Sequence, residues 1–274
     1  MISLARPASI GDLVATHGGV LDGSVDPSRV IASIAASDRD EPCDLAPVLS
    51  DRGTTRLRAR TNVWLVSEDC SARVPEGKRW IHPRAESVLA ALLSSDETVP
   101  PSVIPPDARI EANVVIFPNV TIGRGVVIGA NSVIGRPGFR YVGNVRMPHP
   151  AGVVLGDGVE IGALCSVDAG ILAPTTIGAG TKLDAQVHVG HGVTIGKSCR
   201  IAAQVGLAGS VVVEDEVWIG GQAGIADHCH LGRGARIAAK AGVIGDVPAG
   251  ETFAGYPAVA RTRWLRGHAR MYRK

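Results

Sequence analysis

The stretch IGAGTKLDAQVHVGHGVTIGKSCRIAAQVGLAGSVVV, residues 177–213, decides the fold of this chain. An aliphatic residue stands at every sixth position, and the series runs on without a gap to residue 243. Its members are Ile177, Leu183, Val189, Ile195, Ile201, Leu207, Val213, Ile219, Ile225, Leu231, Ile237 and Val243. A helix repeats every 3.6 residues and a strand alternates every two, so neither explains a period of six. Short strands joined by tight turns do explain it, with three hexads closing one triangular coil of about 18 residues.

The same phase appears upstream of this stretch. Its earlier members are Ile104, Ile110, Ile116, Ile122, Ile128, Ile134, Leu155, Ile161 and Val167. The interruptions at 140–154 and 173–176 are predicted to be loops. We therefore predict a mainly β protein in which residues 101–250 form a parallel β-helix, a hexapeptide-repeat solenoid.

The two flanking segments lack the six-residue period. Residues 1–100 are predicted to form a small α/β domain. Ser9 and Asp12 can cap a helix through DLVATH, NVWLV is strand-like, and AESVLAALL has helical periodicity. Residues 251–274 are predicted to end in one short basic helix within ARTRWLRGHARMYRK.

Bulk composition places the chain among globular proteins, with 45% apolar and 20% charged residues. We find no signal-peptide pattern and no run of 18 apolar residues, so a cytoplasmic protein without a transmembrane segment is predicted. A net charge of +2 argues against general attraction to nucleic acid or to membranes. The five cysteines lack metal-ligand spacing, so reduced thiols and no metal site are predicted. Cys165, Cys199 and Cys229 occupy the fifth, inward position of their hexads.

The hexad register also orients two histidines. His191 is the third residue of its hexad and is predicted to face outward at a coil corner, while His188 also lies off the core. Gly209 follows His191 by 18 residues, so their backbones should stack about 4.8 Å apart. His228 follows His191 by 37 residues and should lie on the same face, roughly 10 Å along the axis.

This line of groups suits acyl transfer from a thioester to an amine. A histidine that titrates near neutrality can accept the amine proton, and a glycine amide can stabilise the tetrahedral oxyanion. Spacing alone leaves an inert surface histidine as the alternative interpretation.

Several runs carry a resemblance to a known family: GRPGFRYV, MPHPAGVVLGDGVEIGALCSVDAG, TTIGAGTKLDAQVHVGHGVTIG, IGGQAGIADH and DVPAGETFAGYPAVARTRW. The sequence resembles the UDP-3-O-acylglucosamine N-acyltransferases of lipid A biosynthesis, hexapeptide-repeat enzymes with a left-handed parallel β-helix. The resemblance implies that His191 is the general base and Gly209 the oxyanion donor. It implies that His228 helps to hold the acyl carrier or the oxyanion. The remaining substrate-binding candidates are Asp168, Asp184, His188, Gly138, Phe139 and His149.

The resemblance also implies partners. The family is trimeric, with active sites between neighbouring solenoids, and its acyl donor is a hydroxyacyl chain on the phosphopantetheine of acyl carrier protein. The acceptor is a nucleotide-activated amino sugar, and no cofactor is bound permanently. A cationic tail containing Arg266, Arg270 and Arg273 is predicted to steer the acidic donor, with a solvated cap as the alternative.

Two other functions remain open at this point. One is an acetyl-CoA-dependent N-acetyltransferase that acts on a nucleotide-linked amino sugar for surface polysaccharide. The other is a non-catalytic solenoid scaffold, because this chain departs from the family at three polar positions. It has Asp168-Ala169-Gly170 where the family shows Asp-Arg-Gly, Ala185 where the family shows Asn, and Gly192 where the family shows Asn.

Overall fold

The computed structural model describes residues 1–50, 57–94 and 99–272. The chain divides into two compact units. One contains residues 1–99 together with 140–150, and the other contains 100–139 together with 151–274. The segment 140–150, which falls in an interruption predicted to be a loop, contains a hairpin of strands Tyr141–Val142 and Val145–Arg146. It is therefore more ordered than the break in the hexad pattern indicates.

The N-terminal unit contains one mixed sheet with helices around it. Its strands are Ile2–Ser9, Val20–Leu21, Val30–Ile34, Pro42–Val48, Arg60–Ser67 and Arg79–His82. The last four of these strands run parallel to one another, and the first two pair antiparallel at the two edges. The predicted strand NVWLV lies inside Arg60–Ser67.

Both predicted helices of this unit are present. Helix α1, Ile10–His17, begins where the backbone N–H of Asp12 donates to Ser9 Oγ at 3.1 Å, and it ends at Gly18. This hydrogen bond satisfies one of the amides that a helix N-terminus leaves without a partner. Helix α2, Ala85–Leu93, buries most of its apolar residues, and a 3₁₀ helix spans Glu68–Arg73.

The second unit is a β-solenoid of three sheets whose coil strands pair parallel, as the hexad predicts, while the terminal strand Val259–Ala260 pairs antiparallel with Thr252–Ala254. The seven-stranded sheet, here called the glycine face, contains Val115–Ile116, Val133–Arg136, Ser166–Asp168, His188–Val189, Gly206–Leu207, Gly224–Ile225 and Gly242–Val243. The nine-stranded sheet, here called the charged face, contains Arg109–Ile110, Val127–Ile128, Glu160–Ile161, Lys182–Leu183, Arg200–Ile201, Trp218–Ile219, Arg236–Ile237, Thr252–Ala254 and Val259–Ala260. The third sheet contains Val120–Ile122, Val153–Leu155, Thr175–Ile177, Thr194–Ile195, Val212–Val213 and His230–Leu231.

One continuous hydrophobic core fills the axis of the solenoid. The aliphatic hexad positions from Ile177 to Val243 are all buried, and the fifth positions pack beside them. Cys165, Cys199 and Cys229 are buried as predicted. Burial raises the pKa of the Cys165 and Cys199 thiols, which keeps them protonated at neutral pH. These thiols are packing residues.

The predicted basic helix follows the last coil. Helix α3 spans Arg261–Met271, and its arginines are exposed. Trp264 stacks on His268 with ring centroids 4.6 Å apart, and it lies close above Gly255, where a Cβ atom would come within 2.5 Å of Trp264 Cδ1. Across the described ranges, no helix is long and apolar enough to cross a membrane.

Candidate functional site

A groove of about 670 Å³ runs along the glycine face. Its floor is a column of three glycines, Gly206, Gly224 and Gly242, which pair in register on successive strands. A Cβ atom added to Gly206 or Gly224 would have no other atom within 4 Å. The absence of side chains from three consecutive coils therefore creates the groove.

An aromatic ring lies at the C-terminal end of the groove. A Cβ atom on Gly242 would overlap the ring of Tyr256, so this ring lies directly against the backbone of the last coil. Tyr256 is 86% exposed and also lines the groove. The open length from the coil of His188 to that of Gly242 is three strand spacings, or about 14 Å.

His191 and Gly209 meet at one corner of this groove. A Cβ atom on Gly209 would lie only 2.6 Å from His191 Nε2, so the imidazole ring covers the Cα position of this glycine. The Ser210 N–H donates to the His191 carbonyl at 2.9 Å, which fixes the predicted one-coil register. Within residues 99–272, no backbone carbonyl accepts a hydrogen bond from the Gly209 N–H. The corner thus places an imidazole beside an available amide donor.

His228 occupies a different position of the same corner. Gly192, Ser210 and His228 follow one another at intervals of 18 residues and share a left-handed backbone, with φ of 67°, 61° and 59°. The residue one coil beyond Gly209 is Asp227, and the carboxylate of Asp227 lies 4.0 Å from His228 Nε2. Because of this one-residue offset, His228 takes the corner position of Ser210 instead of that of Gly209. His228 is not among the described residues that line the groove.

Asp168 and His188 lie near the N-terminal end of the groove and belong to one polar network. Asp168 is 1% exposed, and Arg136 Nε lies 3.0 Å from its Oδ1 atom. His188 Nε2 lies 3.9 Å from Asp168 Oδ2, and His188 Nδ1 lies 2.7 Å from Ser166 Oγ. Phe139, which is 82% exposed, also lines the groove. The arrangement can hold a polar ligand beside the His191 corner.

The other three substrate-binding candidates are Asp184, His149 and Gly138. Asp184 lines a separate groove on the charged face, and its carboxylate accepts a hydrogen bond from the Ala185 N–H at 2.7 Å. His149 is partly buried and belongs to the N-terminal unit. Gly138 precedes Phe139 in the chain but is not among the described lining residues.

Sequence reasoning missed Arg136, Ser166, Tyr256 and the glycine column. The column did carry a signal, because Gly206, Gly224 and Gly242 recur at the 18-residue interval just before an aliphatic slot. The position of Tyr256 beyond the last full coil gave no such signal. Among the described residues, no group of three His, Cys, Asp or Glu side chains is arranged to hold a metal ion.

Comparisons with known proteins agree with this architecture. A family model described as bacterial transferase hexapeptide (six repeats) matches residues 101–136 and 174–209. A UDP-3-O-acylglucosamine N-acyltransferase from Methylobacterium sp. (strain 4-46) is 32% identical, and the match covers 96% of this chain and 92% of that protein.

Other matches are shorter. The enzyme of the same name from Caulobacter sp. (strain K31) is 41% identical over 132 residues, so the chain spans 39% of that relative's length and the match covers 48% of the chain. A solved LpxA structure from Acinetobacter baumannii is 26% identical with a TM-score of 0.47, covering 65% of this chain and 78% of that one.

Proposed function

Because the chain belongs to the UDP-3-O-acylglucosamine N-acyltransferase family, we propose that it transfers an acyl group from a thioester to the amine of a UDP-linked, acylated glucosamine in lipid A biosynthesis. The observation that carries this proposal is the His191 ring lying against Gly209 at the edge of a long apolar-floored groove. An imidazole and an adjacent amide donor are the two groups that this reaction requires.

The reaction follows from these two groups. The acceptor nitrogen attacks the thioester carbon while His191 accepts the proton that the amine loses. The carbonyl oxygen becomes negatively charged and accepts a hydrogen bond from the Gly209 N–H. The tetrahedral intermediate then collapses, the carbon–sulfur bond breaks, and the proton passes from His191 to the departing thiolate. The products are an amide and a free thiol.

The glycine column serves the acyl chain in this proposal. Bare backbone between the His191 corner and Tyr256 offers about 14 Å of shallow, largely apolar surface. An acetyl group would leave most of that length empty, whereas a chain of several carbons would cover it. The groove therefore favours a hydroxyacyl donor over the acetyl-CoA alternative.

The carrier of the acyl group and the oligomeric state are proposed from the charge of helix α3 and from family membership. Acyl carrier protein and CoA are both acidic, and the exposed arginines of helix α3 complement either carrier. A homotrimer with sites between neighbouring solenoids is proposed from family membership, and the cytoplasmic location stays a prediction.

Product analysis with a matched pair of variants tests the proposal. The protein is incubated with a UDP-linked 3-O-acylglucosamine and a panel of acyl carrier protein and CoA thioesters, and products are identified by intact mass. We expect amide formation with medium or long hydroxyacyl donors. Gly209→Ala should lower kcat by about 10²-fold or more, because its methyl group displaces the His191 ring.

Gly245→Ala is the control for this variant. Gly245 follows Gly209 by 36 residues, in the turn after the last strand of the glycine face, and a Cβ atom there has no neighbour within 4 Å. It should retain wild-type turnover. Acetyl transfer alone would favour the CoA-dependent alternative, and no product with any thioester would favour the scaffold.

A further inference from the structure

A ladder of glutamine side chains runs along one edge of the glycine face. Gln186, Gln204 and Gln222 follow one another at intervals of 18 residues, and all three have a left-handed backbone, with φ of 61°, 63° and 61°. Gln204 Nε2 donates to Gln186 Oε1 at 2.6 Å, and Gln222 Nε2 donates to Gln204 Oε1 at 2.6 Å. Because each amide group donates toward the preceding coil, the dipoles align and the last carbonyl oxygen becomes a stronger acceptor.

The ladder ends beside the groove. Lys240 follows Gln222 by 18 residues, with φ of 59°, and takes the place where a fourth glutamine would continue the series. Gln222 and Lys240 line the groove, whereas Gln186 and Gln204 are not among its described lining residues. Among the residues that the structure describes, none donates to Gln222 Oε1, and none pairs with Lys240 Nζ. The edge of the groove therefore offers one hydrogen-bond acceptor and one cationic donor on neighbouring coils.

An acyl chain in the groove would take solvent away from these two groups. Both side chains are exposed, so solvent reaches them when the groove holds no chain. The Gln222 carboxamide cannot turn away from a bound chain without losing its hydrogen bond to Gln204. The longer and more flexible Lys240 side chain can bring its ammonium group back to solvent. A plain alkyl chain would thus leave Gln222 Oε1 covered and unsatisfied, which costs binding free energy.

We propose that Gln222, assisted by Lys240, selects acyl chains that carry a hydroxyl group close to the thioester. A hydroxyl group can donate to Gln222 Oε1 and accept from Lys240 Nζ at the same time, whereas an alkyl chain can do neither. Gln222 precedes the strand that pairs with the strand before Gly209, so the hydroxyl group would lie about one strand spacing, or about 4.8 Å, along the axis from the oxyanion. This distance suits one of the first carbons of the chain. The inference rests on the proposed function for the thioester donor.

Gln222→Met is the test, with Gln186→Met as the matched control. Each substitution removes one carboxamide and one ladder hydrogen bond from the same backbone conformation, but only Gln222 lines the groove. A 3-hydroxyacyl thioester and a plain acyl thioester of equal length, on the same carrier, compete for the protein, and the products are quantified by mass. We expect Gln222→Met to lower the preference for the hydroxyacyl donor by about 5-fold to 10-fold. Gln186→Met should keep the wild-type preference.

Lys240→Met is a second variant, and it decides the matter if Gln222→Met does not fold. It should lower the same preference by a smaller factor of about 2-fold to 5-fold, because the ammonium group of the wild type is less constrained than the carboxamide. Lys240→Arg keeps the charge and should retain most of the preference. An unchanged preference in Lys240→Met alone would remove Lys240 from the proposal.

Three results would overturn the role of Gln222. One is an unchanged preference in every folded variant at these two positions. Another is an equal loss with both donors in Gln222→Met, which would assign the contact to the hydroxyl or amide groups of the pantetheine arm. The third is an equal shift in Gln186→Met, which would show that the ladder acts only through the structure of the corner.

A binding measurement separates failure of this inference from failure of the proposed function. Titration calorimetry uses 3-hydroxyacyl and plain acyl pantetheine analogues in which a methylene group separates the sulfur from the carbonyl carbon, so no acyl transfer occurs. If the wild type transfers no acyl group but prefers the hydroxyacyl analogue, and Gln222→Met abolishes this preference, the proposed function fails and the inference stands. If the wild type binds the two analogues equally, or binds neither, the inference fails whatever the turnover.

Discussion

The glycine face and the charged face of the solenoid are built on the same backbone, yet each carries a groove of a different kind. The outward positions of the glycine face become Gly206, Gly224 and Gly242 in its last three coils. The corresponding positions of the charged face are Arg200, Trp218 and Arg236. Strand spacing and inward residues are equivalent on both faces, so the outward side chains alone create the difference.

The charged side chains of the charged face interact with neighbouring side chains on the same face. Lys182 forms an ion pair with Glu160, and the Arg236 guanidinium lies 5.8 Å from the centre of the Trp218 ring. Its groove, of about 500 Å³, is thus lined by groups that contact each other. On a regular solenoid, function depends on which outward positions are left bare and which polar groups surround them.

The largest effect should come from the histidine at the groove corner. His191→Ala removes the group proposed to accept the amine proton, so kcat should fall by at least about 10²-fold with the fold intact. His230→Ala is the control, because His230 also points outward but lies on the third sheet, 3.0 Å from Glu214. Steady-state kinetics with the best thioester measures both variants. Near-normal turnover in His191→Ala would remove this residue from the mechanism.

The solenoid that carries both faces was predictable from the sequence, although the contrast between the faces was missed. A six-residue period fixes which residues point inward, so the solenoid and the meeting of His191 with Gly209 follow from counting. The N-terminal sheet was less predictable. Its buried parallel strands, such as Pro42–Val48 beside Arg60–Ser67, pair residues that are distant in the chain and give no local period.

Departures from the 18-residue register explain why sequence analysis missed part of the site. Arg136 pairs with Asp168 across 32 residues instead of 18, because the segment 140–150 is inserted between them. His228 lies one residue beyond the 18-residue register of Gly209, so it occupies the corner position with a left-handed backbone. Sequence spacing alone does not show where a side chain points from that position. Residues separated by an insertion or by a one-residue offset do not follow the 18-residue register, so their positions could not be predicted from it.

A smaller effect should follow from opening the far end of the groove. Tyr256→Ala removes the ring that lies against Gly242, so acyl chains longer than the wild-type optimum should be accepted. We expect kcat/KM for donors a few carbons longer to rise by roughly 10-fold, because each buried methylene contributes about 0.8 kcal/mol. Competition between donors of graded length, read by product mass, measures the change.

Trp218→Ala is the matched aromatic deletion on the charged face. Trp218 is 56% exposed and lines the other groove, so its removal should leave the preference for chain length as it is in the wild type. If both variants shift the preference, or neither does, the acyl chain does not lie over the glycine column.

The smallest effect should come from charge at the end of the solenoid. Arg266 and Arg270 are exposed on helix α3, whereas Arg273 lies outside the described residues. Replacing all three with Gln should raise KM for the acyl donor a few-fold and leave kcat almost unchanged, because steering acts on association. Screening over a Debye length of about 8 Å at physiological ionic strength should also flatten the salt dependence of kcat/KM in this variant.

The charged face supplies the comparison for this last variant. Arg200→Gln/Arg236→Gln removes two cations from the other groove, and it should leave the donor KM and its salt dependence at wild-type values. An acidic carrier that reaches the thioester site from the helix end would depend on the α3 arginines alone. If the Arg200 and Arg236 variant changes the salt slope while the α3 variant does not, the carrier docks on the charged face and helix α3 is only a cap for the last coil.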